Sequence, residues 1–348
     1  MNEKNLKADA MELKRKTTIY DVAAASGVSA SSVGSILNGS WEKRRISKDL
    51  AERVLEIATQ LGYRQNRQAS ALRTQRSGLI GMILPLHDNR YFSSLSQAFE
   101  AEARMRDLCP IVVSTLRDPD EEKRTVATLI SHNVDSLFVA GATDPDPLSL
   151  MCTQAGIAHI NVDLPGSLAA SVVTNNYYGA SELTRYLIRR SRPPRGSTEI
   201  HFIGGNKEDF NTLERIRAFQ DVLAAETGRK PAAEHITPCG YGPDAAEKAT
   251  RDLIERSGAL PQALFVNSTI AFEGVFRVLK DLPNAAFDQF SVGCFDWDPF
   301  LSHLHFPVAM VRQDAQMLIE TAFKIIDEAR YKIATVTLIK PELLFPSN

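Results

Sequence analysis

Apolar and polar residues alternate in blocks through most of the chain, from residue 78 onward. Ten short apolar runs predict β-strands, at residues 79–84, 111–114, 136–140, 159–163, 172–174, 199–203, 235–237, 263–267, 290–295 and 308–312. The stretches between them predict amphipathic helices, for example at residues 92–106, 119–132, 178–190, 211–227, 243–257 and 270–281. Such alternation is typical of parallel sheets covered on both faces, and ten strands fit two five-stranded, doubly wound lobes better than one sheet.

A different pattern precedes this region, because residues 17–62 predict three short helices. Thr17 or Thr18 can cap the first helix, Gly27 allows a tight turn, and Ser29 and Ser47 can cap the second and third helices. The second helix leaves small residues on its outer face, which are Ala30, Ser31, Ser32, Gly34 and Ser35. Two short helices joined at a glycine and followed by a third predict a helix-turn-helix, although a generic three-helix bundle fits the same pattern. A small polar face suits a helix that approaches bases closely in the major groove.

The charge is distributed unevenly, although the formal net charge of the 348 residues is only −2. Residues 14–76 carry 12 basic and 5 acidic residues, a net of +7, whereas residues 1–13 carry −1 and the rest of the chain carries −8. A basic head on an acidic body indicates a module that binds a polyanion, attached to a domain with another task.

Several classes of protein do not fit the sequence. It has no apolar run long enough to span a membrane and no apolar core at the N-terminus for a signal peptide, so we expect a cytoplasmic protein. We expect the four cysteines to be buried thiols, since they lie far apart and form no Cys-x-x-Cys pair: Cys109, Cys152, Cys239 and Cys294. Neither a phosphate-binding loop nor a nucleophile elbow is present, and the histidines show no metal-ligand spacing. We therefore expect neither catalytic residues nor a metal.

Residues 18–39, TIYDVAAASGVSASSVGSILNG, resemble the opening of LacI/GalR-type transcriptional regulators, and so do Ile46-Ser47 and the stretch 61–72. The resemblance continues through nearly the whole chain. The long loop at residues 40–45 and the run ALFVNS at 263–268 resemble the branch of the fructose and sucrose repressors.

The resemblance implies that the protein binds double-stranded operator DNA. By position, the residues that read the major groove are Ala30, Ser31 and Ser35; the family commonly has Ser-Arg where this chain has Gly34-Ser35. The other head residues implied as DNA contacts are Thr18, Tyr20, Ser29, Ser32, Asn38, Lys43, Arg44 and Arg45. The last three belong to the long loop, where a solvated charge run is the alternative interpretation.

Residues 66–76 resemble the family's hinge, which forms a helix on DNA. Leu72 matches the leucine that enters the minor groove and bends the duplex, and Ala69 matches the small residue where two hinges meet. Asn66 begins the segment, and Gln65 replaces a proline that the family has before it. A disordered linker is the alternative. If the wedge forms, Leu72→Ala weakens operator binding far more than binding to random DNA.

For the body the resemblance implies two lobes like those of periplasmic binding proteins, with a small effector between them and chain crossovers near residues 175–178, 307–311 and 340. The residues that match polar ligand contacts are Asp163, Arg215, Asp296 and Gln313. Stacking platforms are expected at Tyr91, Phe92 and Trp297, and further strand-end candidates are Asn89, Asp209, Asn211 and Ser268. Carboxylates, arginine and aromatic faces suit a sugar; a sugar phosphate would need more cations, for which Arg90, Lys207 and Arg217 are candidates. Helix capping by Asp163 or Asp296, and a core position for Tyr91 or Phe92, are the alternatives.

The predicted organisation has four parts: a flexible extension (1–16), a helix-turn-helix domain (17–65), a hinge (66–77) and an effector-binding and dimerisation body (78–348). Within the body, the N-lobe is expected at about 78–176 and 311–339 and the C-lobe at about 177–310 and 340–348. The favoured function is a DNA-binding regulator, most simply a repressor, controlled allosterically by a small sugar or sugar phosphate and needing no other cofactor. We expect a homodimer without a coiled-coil tetramer. The alternatives are a solute-binding protein for transport and an enzyme on a doubly wound fold.

Overall fold

The structure is a computed structural model that describes residues 17–63, 76–191, 199–287 and 290–346. The chain divides into two compact units, Met1–Ser77 and Gly78–Asn348, which we call the head and the body. No helix within the described ranges is long and apolar enough to cross a lipid bilayer.

Residues 17–63 of the head form three α-helices: α1 (Ile19–Ser26), α2 (Ala30–Leu37) and α3 (Lys48–Gln60). A capping box starts α1, since Asp21 N donates to the Thr18 hydroxyl at 3.4 Å and Thr18 N donates to the Asp21 carboxylate at 2.7 Å. Gly27 ends α1 with a φ of 71°, a left-handed conformation that favours glycine. Ser29 and Ser47 cap α2 and α3, so the predicted helix-turn-helix is confirmed.

Apolar residues from all three helices meet in one small core of the head. Its fully or almost fully buried members are Val22, Val33, Ile36, Ala51, Val54 and Ala58. The loop at residues 40–45, which we call the basic loop, contains a short 3-10 helix, Glu42–Arg44, and its Trp41 packs against this core. The basic loop is therefore anchored to the head.

The first lobe of the body, the N-lobe, is a six-stranded parallel sheet with the order β11-β5-β4-β3-β1-β2. The strands are β1 (Leu79–Leu84), β2 (Cys109–Ser114), β3 (Ser136–Ala140), β4 (Ala158–Val162), β5 (Ser171–Thr174) and β11 (Val336–Ile339). Its helices are α4 (Arg90–Met105), α5 (Pro119–Ser131), α6 (Pro145–Gln154) and α11 (Ala315–Asp327). Successive β1 residues face opposite sides, with Met82 in the core beside α4 and α11 and Ile83 in the core beside α5 and α6.

The second lobe, the C-lobe, has the strand order β12-β10-β9-β8-β6-β7. The strands are β6 (Ile200–Ile203), β7 (Ile236–Thr237), β8 (Ala263–Val266), β9 (Ser291–Phe295), β10 (Val308–Arg312) and β12 (Glu342–Leu344). The helices are α7 (Asn176–Ser191), α8 (Phe210–Thr227), α9 (Pro243–Ser257) and α10 (Thr269–Leu279). Helices α7 and α8 cover one face and α9 and α10 the other, each over its own apolar core. The fold class predicted from the sequence is confirmed.

Three details differ from the prediction. Each sheet has a sixth strand, since β11 joins β5 and β12 pairs antiparallel with β10. The middle crossover lies at Gln313, because β10 pairs with β9 up to Val311; residues 311 and 312 thus belong to the C-lobe sheet and not to the N-lobe. Of the four cysteines expected to be buried, Cys152 and Cys294 are buried, Cys239 is half-buried, and Cys109 is exposed because it begins the edge strand β2.

Candidate functional site

The outer face of α2 is small and polar, as the sequence predicted. Ser29 and Ser31 are exposed, and Ala30 and Ser32 are half-buried. The hydroxyl of Ser29 accepts from Ser32 N at 3.1 Å, so its first role is to cap the helix. The other head candidates differ in exposure: Tyr20 and Asn38 are exposed, whereas Thr18 is half-buried in its capping box.

The sequence predicted that Ser35 lies on this outer face, and that prediction is wrong. Its side chain is buried, and its hydroxyl donates to Ser31 O at 2.9 Å. The start of the basic loop returns over it, because Ser40 N donates to Ser35 O at 2.9 Å. The side chain of Ser35, next to the buried Ile36, is thereby enclosed between α2 and the basic loop.

The basic loop lies directly beside the outer face of α2. Lys43, Arg44 and Arg45 are all exposed, and Arg45 has a left-handed φ of 56°. Arg44 Nη1 donates to the hydroxyl of Ser31 at 3.3 Å. The loop therefore adds cations to a helix face that has no long side chain of its own. The hinge candidates Asn66, Ala69 and Leu72 lie outside the described residues.

In the body, Asp163 joins the two lobes. It follows β4 with a left-handed φ of 74°, and its Oδ1 accepts from Tyr91 OH at 3.0 Å and from Asn211 Nδ2 at 3.1 Å. Tyr91 belongs to α4 of the N-lobe and Asn211 to α8 of the C-lobe, and all three side chains are buried. Burial raises the pKa of Asp163 to about 6. Burial also raises the pKa of Tyr91 well above its usual range, and the carboxylate of Asp163 adds to this effect.

Arg215 is the buried cation of the site. Its Nε donates to Asn176 Oδ1 at 2.8 Å, its Nη1 donates to Asn267 O at 2.7 Å, and its guanidinium lies 3.7 Å from the centre of the Phe295 ring. Asn176 passes the network on, since its Nδ2 donates to Asn211 Oδ1 at 2.8 Å. The positive charge favours ionised carboxylates nearby and partly offsets the effect of their burial.

A second chain of hydrogen bonds runs through two of the crossovers between the lobes. Gln313 Nε2 donates to Asp296 Oδ1 at 2.5 Å, and Thr174 Oγ1 donates to Gln313 Oε1 at 2.7 Å. Asp296 follows β9 with a left-handed φ of 81°, and burial raises its pKa. Thr174 ends β5 of the N-lobe, so this chain also connects the two lobes.

A cavity of about 300 Å³ opens beside Asp296 and Gln313. Both lobes and the crossover line it: Arg90, Tyr91, Ser94, Asp296, Trp297, Arg312, Gln313, Asp314, Ala315, Gln316 and Glu342. Four of the effector contacts predicted from the sequence thus share one cavity, which are Tyr91, Asp296, Trp297 and Gln313, and the candidate cation Arg90 lines it as well. Asp163, Asn211 and Arg215 lie behind them and connect to the cavity through Tyr91.

Trp297 contacts two guanidinium groups. Arg90 lies 5.8 Å and Arg312 lies 5.3 Å from the centre of its ring. Each arginine also pairs with a carboxylate, Arg90 Nε with Asp298 Oδ2 at 3.1 Å and Arg312 with Glu342. The stacking platform expected here is therefore already in contact with two cations.

The remaining predicted effector residues have other contacts in the structure. Asn89 and Ser268 cap helices, accepting from Phe92 N at 3.1 Å and from Ala271 N at 3.2 Å, and neither lines the cavity. Phe92 is packed in the N-lobe core, which was the alternative interpretation. Asp209 accepts a hydrogen bond from Tyr241 OH and lies outside the cavity wall.

Eleven residues of this region were not predicted from the sequence. Six line the cavity: Ser94, Arg312, Asp314, Ala315, Gln316 and Glu342. The other five belong to the contacts around it: Thr174, Asn176, Asn267, Tyr241 and Arg117. All five lie at or soon after the ends of strands, which is the one signal that could have indicated them. Arg117 of the N-lobe, with a left-handed φ of 57°, places its guanidinium 4.8 Å from the ring centre of Tyr241 in the C-lobe. This contact is a further connection between the lobes.

Two family models match the chain. Residues 18–66 match the bacterial regulatory proteins of the lacI family, and residues 80–300 match the periplasmic binding protein domain. The chain belongs to the LacI family. The head is thus a DNA-binding domain, and the protein is a DNA-binding transcriptional regulator.

Individual members of the LacI family are similar over much of their length. The ribitol operon repressor of Klebsiella aerogenes is 50% identical over 194 residues, which are 56% of this chain and 72% of that protein. The sucrose operon repressor of Klebsiella pneumoniae is 26% identical over 305 residues, covering 87% of this chain and 89% of the relative. The crystal structure of the lac repressor dimer bound to operator and the anti-inducer ONPF has the same fold, with a TM-score of 0.79, 19% identity and coverage of 95% of this chain and 98% of that one.

Proposed function

We propose that this protein is a transcriptional repressor whose affinity for operator DNA is set by a small polyhydroxylated ligand bound between the lobes of the body. The observation that carries this proposal is the cavity beside Asp296 and Gln313, backed by the buried hydrogen bonds that Asp163 accepts from Tyr91 and from Asn211. A carboxylate accepts hydrogen bonds from several hydroxyls, and an amide offers both a donor and acceptors. These groups fit a sugar or polyol better than an apolar ligand.

The relatives support the same class of ligand. The ribitol operon repressor and the sucrose operon repressor are named for operons of a polyol and a sugar. A ligand held by residues of both lobes and of the crossovers changes the angle between the lobes, provided that it binds one angle more tightly than the other. Gln313 is well placed to respond, because it lies in a crossover and contacts both Asp296 and Thr174.

We also propose that two copies act together on DNA. A two-fold operator matches a two-fold dimer, and the related fold of the lac repressor is a dimer on its operator. In a dimer, a change in lobe angle alters the spacing of the two heads and therefore their fit to the half-sites. We assign the protein no catalytic reaction, because its relatives are regulators, and we place it in the cytoplasm with the DNA it binds.

The test has two arms. A random DNA pool is selected on the full-length protein, and the proposal predicts a palindromic sequence. A thermal-shift screen of polyols and sugars then predicts a ligand whose effect is lost in Arg215→Ala and Asp296→Ala, with Glu121→Gln on α5 as the control. Selection of no sequence, or full ligand affinity in both variants, would refute the proposal.

A further inference from the structure

We infer that the ligand in the cavity is uncharged and that a phosphate ester of the same sugar or polyol is rejected. This inference rests on the proposed function, since it names which compounds of the proposed class the site accepts. The charges that line the cavity are its basis.

Negative charge exceeds positive charge on the cavity wall. Among the residues that the structure describes, three carboxylates line the cavity, from Asp296, Asp314 and Glu342, against the two guanidiniums of Arg90 and Arg312. A phosphate monoester brings about two further negative charges near neutral pH. Its binding would add anions to a wall that already has an excess of them.

The two guanidiniums are also engaged. Arginine is a good partner for phosphate when its donors are free. Here Arg90 pairs with Asp298 and Arg312 with Glu342, and both groups lie against Trp297. Both ion pairs are partly exposed and therefore weak. Even if a phosphate replaced the carboxylate as the partner of an arginine, the carboxylate would remain close to it. A phosphate would have to compete with a carboxylate at each arginine.

The other cations considered from the sequence do not correct this balance. Arg217 pairs with Glu214 at 2.7 Å and contacts the Tyr177 ring, and it does not line the cavity. Lys207 does not line the cavity either. The buried Arg215 is committed to Asn176 and to Asn267 O.

Burial makes Asp296 especially sensitive to another anion. It is 7% exposed, and burial already raises its pKa, so its negative charge is poorly solvated. Hydroxyl groups that donate to this carboxylate stabilise its charge, whereas a phosphate beside it repels it. A cavity of about 300 Å³ is at the small end of ligand sites, which suits a single sugar or polyol unit.

The experiment compares matched pairs by isothermal titration calorimetry on the full-length protein: ribitol with ribitol 5-phosphate, and fructose with fructose 1-phosphate. We expect at least one uncharged member to bind, with its ester at least ten times weaker. An ester that binds as tightly as its parent, or more tightly, overturns this inference and leaves the proposed function standing. If no member of either pair binds, and no uncharged compound from the thermal-shift screen binds either, the proposed function itself is overturned.

A variant tests whether charge is the cause. Glu342→Gln removes one carboxylate from the cavity wall and frees Arg312. It should therefore reduce the ratio of the ester's Kd to the Kd of the uncharged parent, which we call the affinity gap, by at least threefold. Glu121→Gln removes a carboxylate that also pairs with an arginine, Arg124 at 2.7 Å, but does not line the cavity, and it should leave the affinity gap unchanged. Equal affinity gaps in the two variants would show that charge does not exclude the ester. Glu342 is about half exposed, so its replacement should not prevent folding.

Discussion

The guanidinium of Arg44 donates a hydrogen bond to the hydroxyl of Ser31 across 3.3 Å and so joins the basic loop to the outer face of α2. The resemblance to the family predicts that Ser31 reads bases, yet its side chain is too short to reach far. Ser35, the other polar position, is buried. Arg44 is thus a long donor that lies beside the face of α2 predicted to read the groove.

From this contact we predict that Arg44→Ala weakens binding to the selected DNA sequence by about 5- to 150-fold, which corresponds to about 1–3 kcal/mol for a base-edge contact. Binding to random DNA should weaken much less. Lys43→Ala is the control, because it removes an exposed cation of the same loop that should act on both DNAs equally. Titration of both DNAs at one salt concentration provides the measurement. Equal losses for the two variants on both DNAs would contradict a base-reading role for Arg44.

A second prediction concerns the buried carboxyl of Asp163. Its pKa is about 6 in the folded protein and about 3.9 in an unfolded chain, so the folded state binds this proton more tightly. Its contribution to stability is complete below about pH 4 and is lost as the pH rises through 6. Asp163→Asn has no such loss, and its stability relative to wild type should rise by about 2 kcal/mol between pH 4.5 and 8.

Chemical denaturation at the two pH values measures this difference. Asparagine also tolerates the left-handed backbone at residue 163, which affects the stability of Asp163→Asn equally at both pH values. Asp107→Asn controls for it, since Asp107 is exposed and has a similar left-handed φ of 56°. If the advantage of Asp163→Asn were the same at both pH values, the burial argument would fail.

Close packing of two C-lobe helices gives a third prediction. A Cβ atom added at Gly274 in α10 would lie 1.9 Å from Pro243 O of α9, so Gly274→Ala must push the helices apart. We expect a loss of about 2–3 kcal/mol and a melting temperature of the body lowered by several degrees. The control is Gly34→Ala in α2, where the nearest atom is at an ordinary 3.5 Å and the substitution should be neutral or slightly stabilising. A Gly274→Ala protein as stable as wild type would show that α9 and α10 separate easily.

The sequence predicted the elements that are regular and buried. Strands such as β1 and β3 were found because their apolar runs are buried on both faces. Strands β11 and β12 were missed because they are short edge strands, and half of the β11 side chains are exposed. The position of Gln313 in a crossover follows from the pairing of β10, which the chain order does not reveal.

The positions of residues at strand ends predicted part of the site, and the hydrogen bonds in the structure show how these residues are connected. Asp296 and Gln313 were identified as strand-end residues, and the structure adds the hydrogen bond between them. Asn176 lies at the start of a helix and looks like an ordinary polar residue in the sequence. Its importance depends on Arg215 and Asn211, which are far away along the chain and meet it only after folding.

The proposed function requires that a ligand in the cavity beside Asp296 controls binding of DNA by the head. The most direct measurement is the fluorescence anisotropy of the labelled selected DNA, titrated with protein in the absence and presence of a saturating uncharged ligand. We predict that the ligand changes the Kd of the wild-type protein for this DNA by about 5–150-fold. Asp296→Asn should bind the DNA as the wild type does without ligand and show no response to the ligand. An unchanged Kd with ligand bound to the wild-type protein, or a full response in Asp296→Asn, would contradict this prediction.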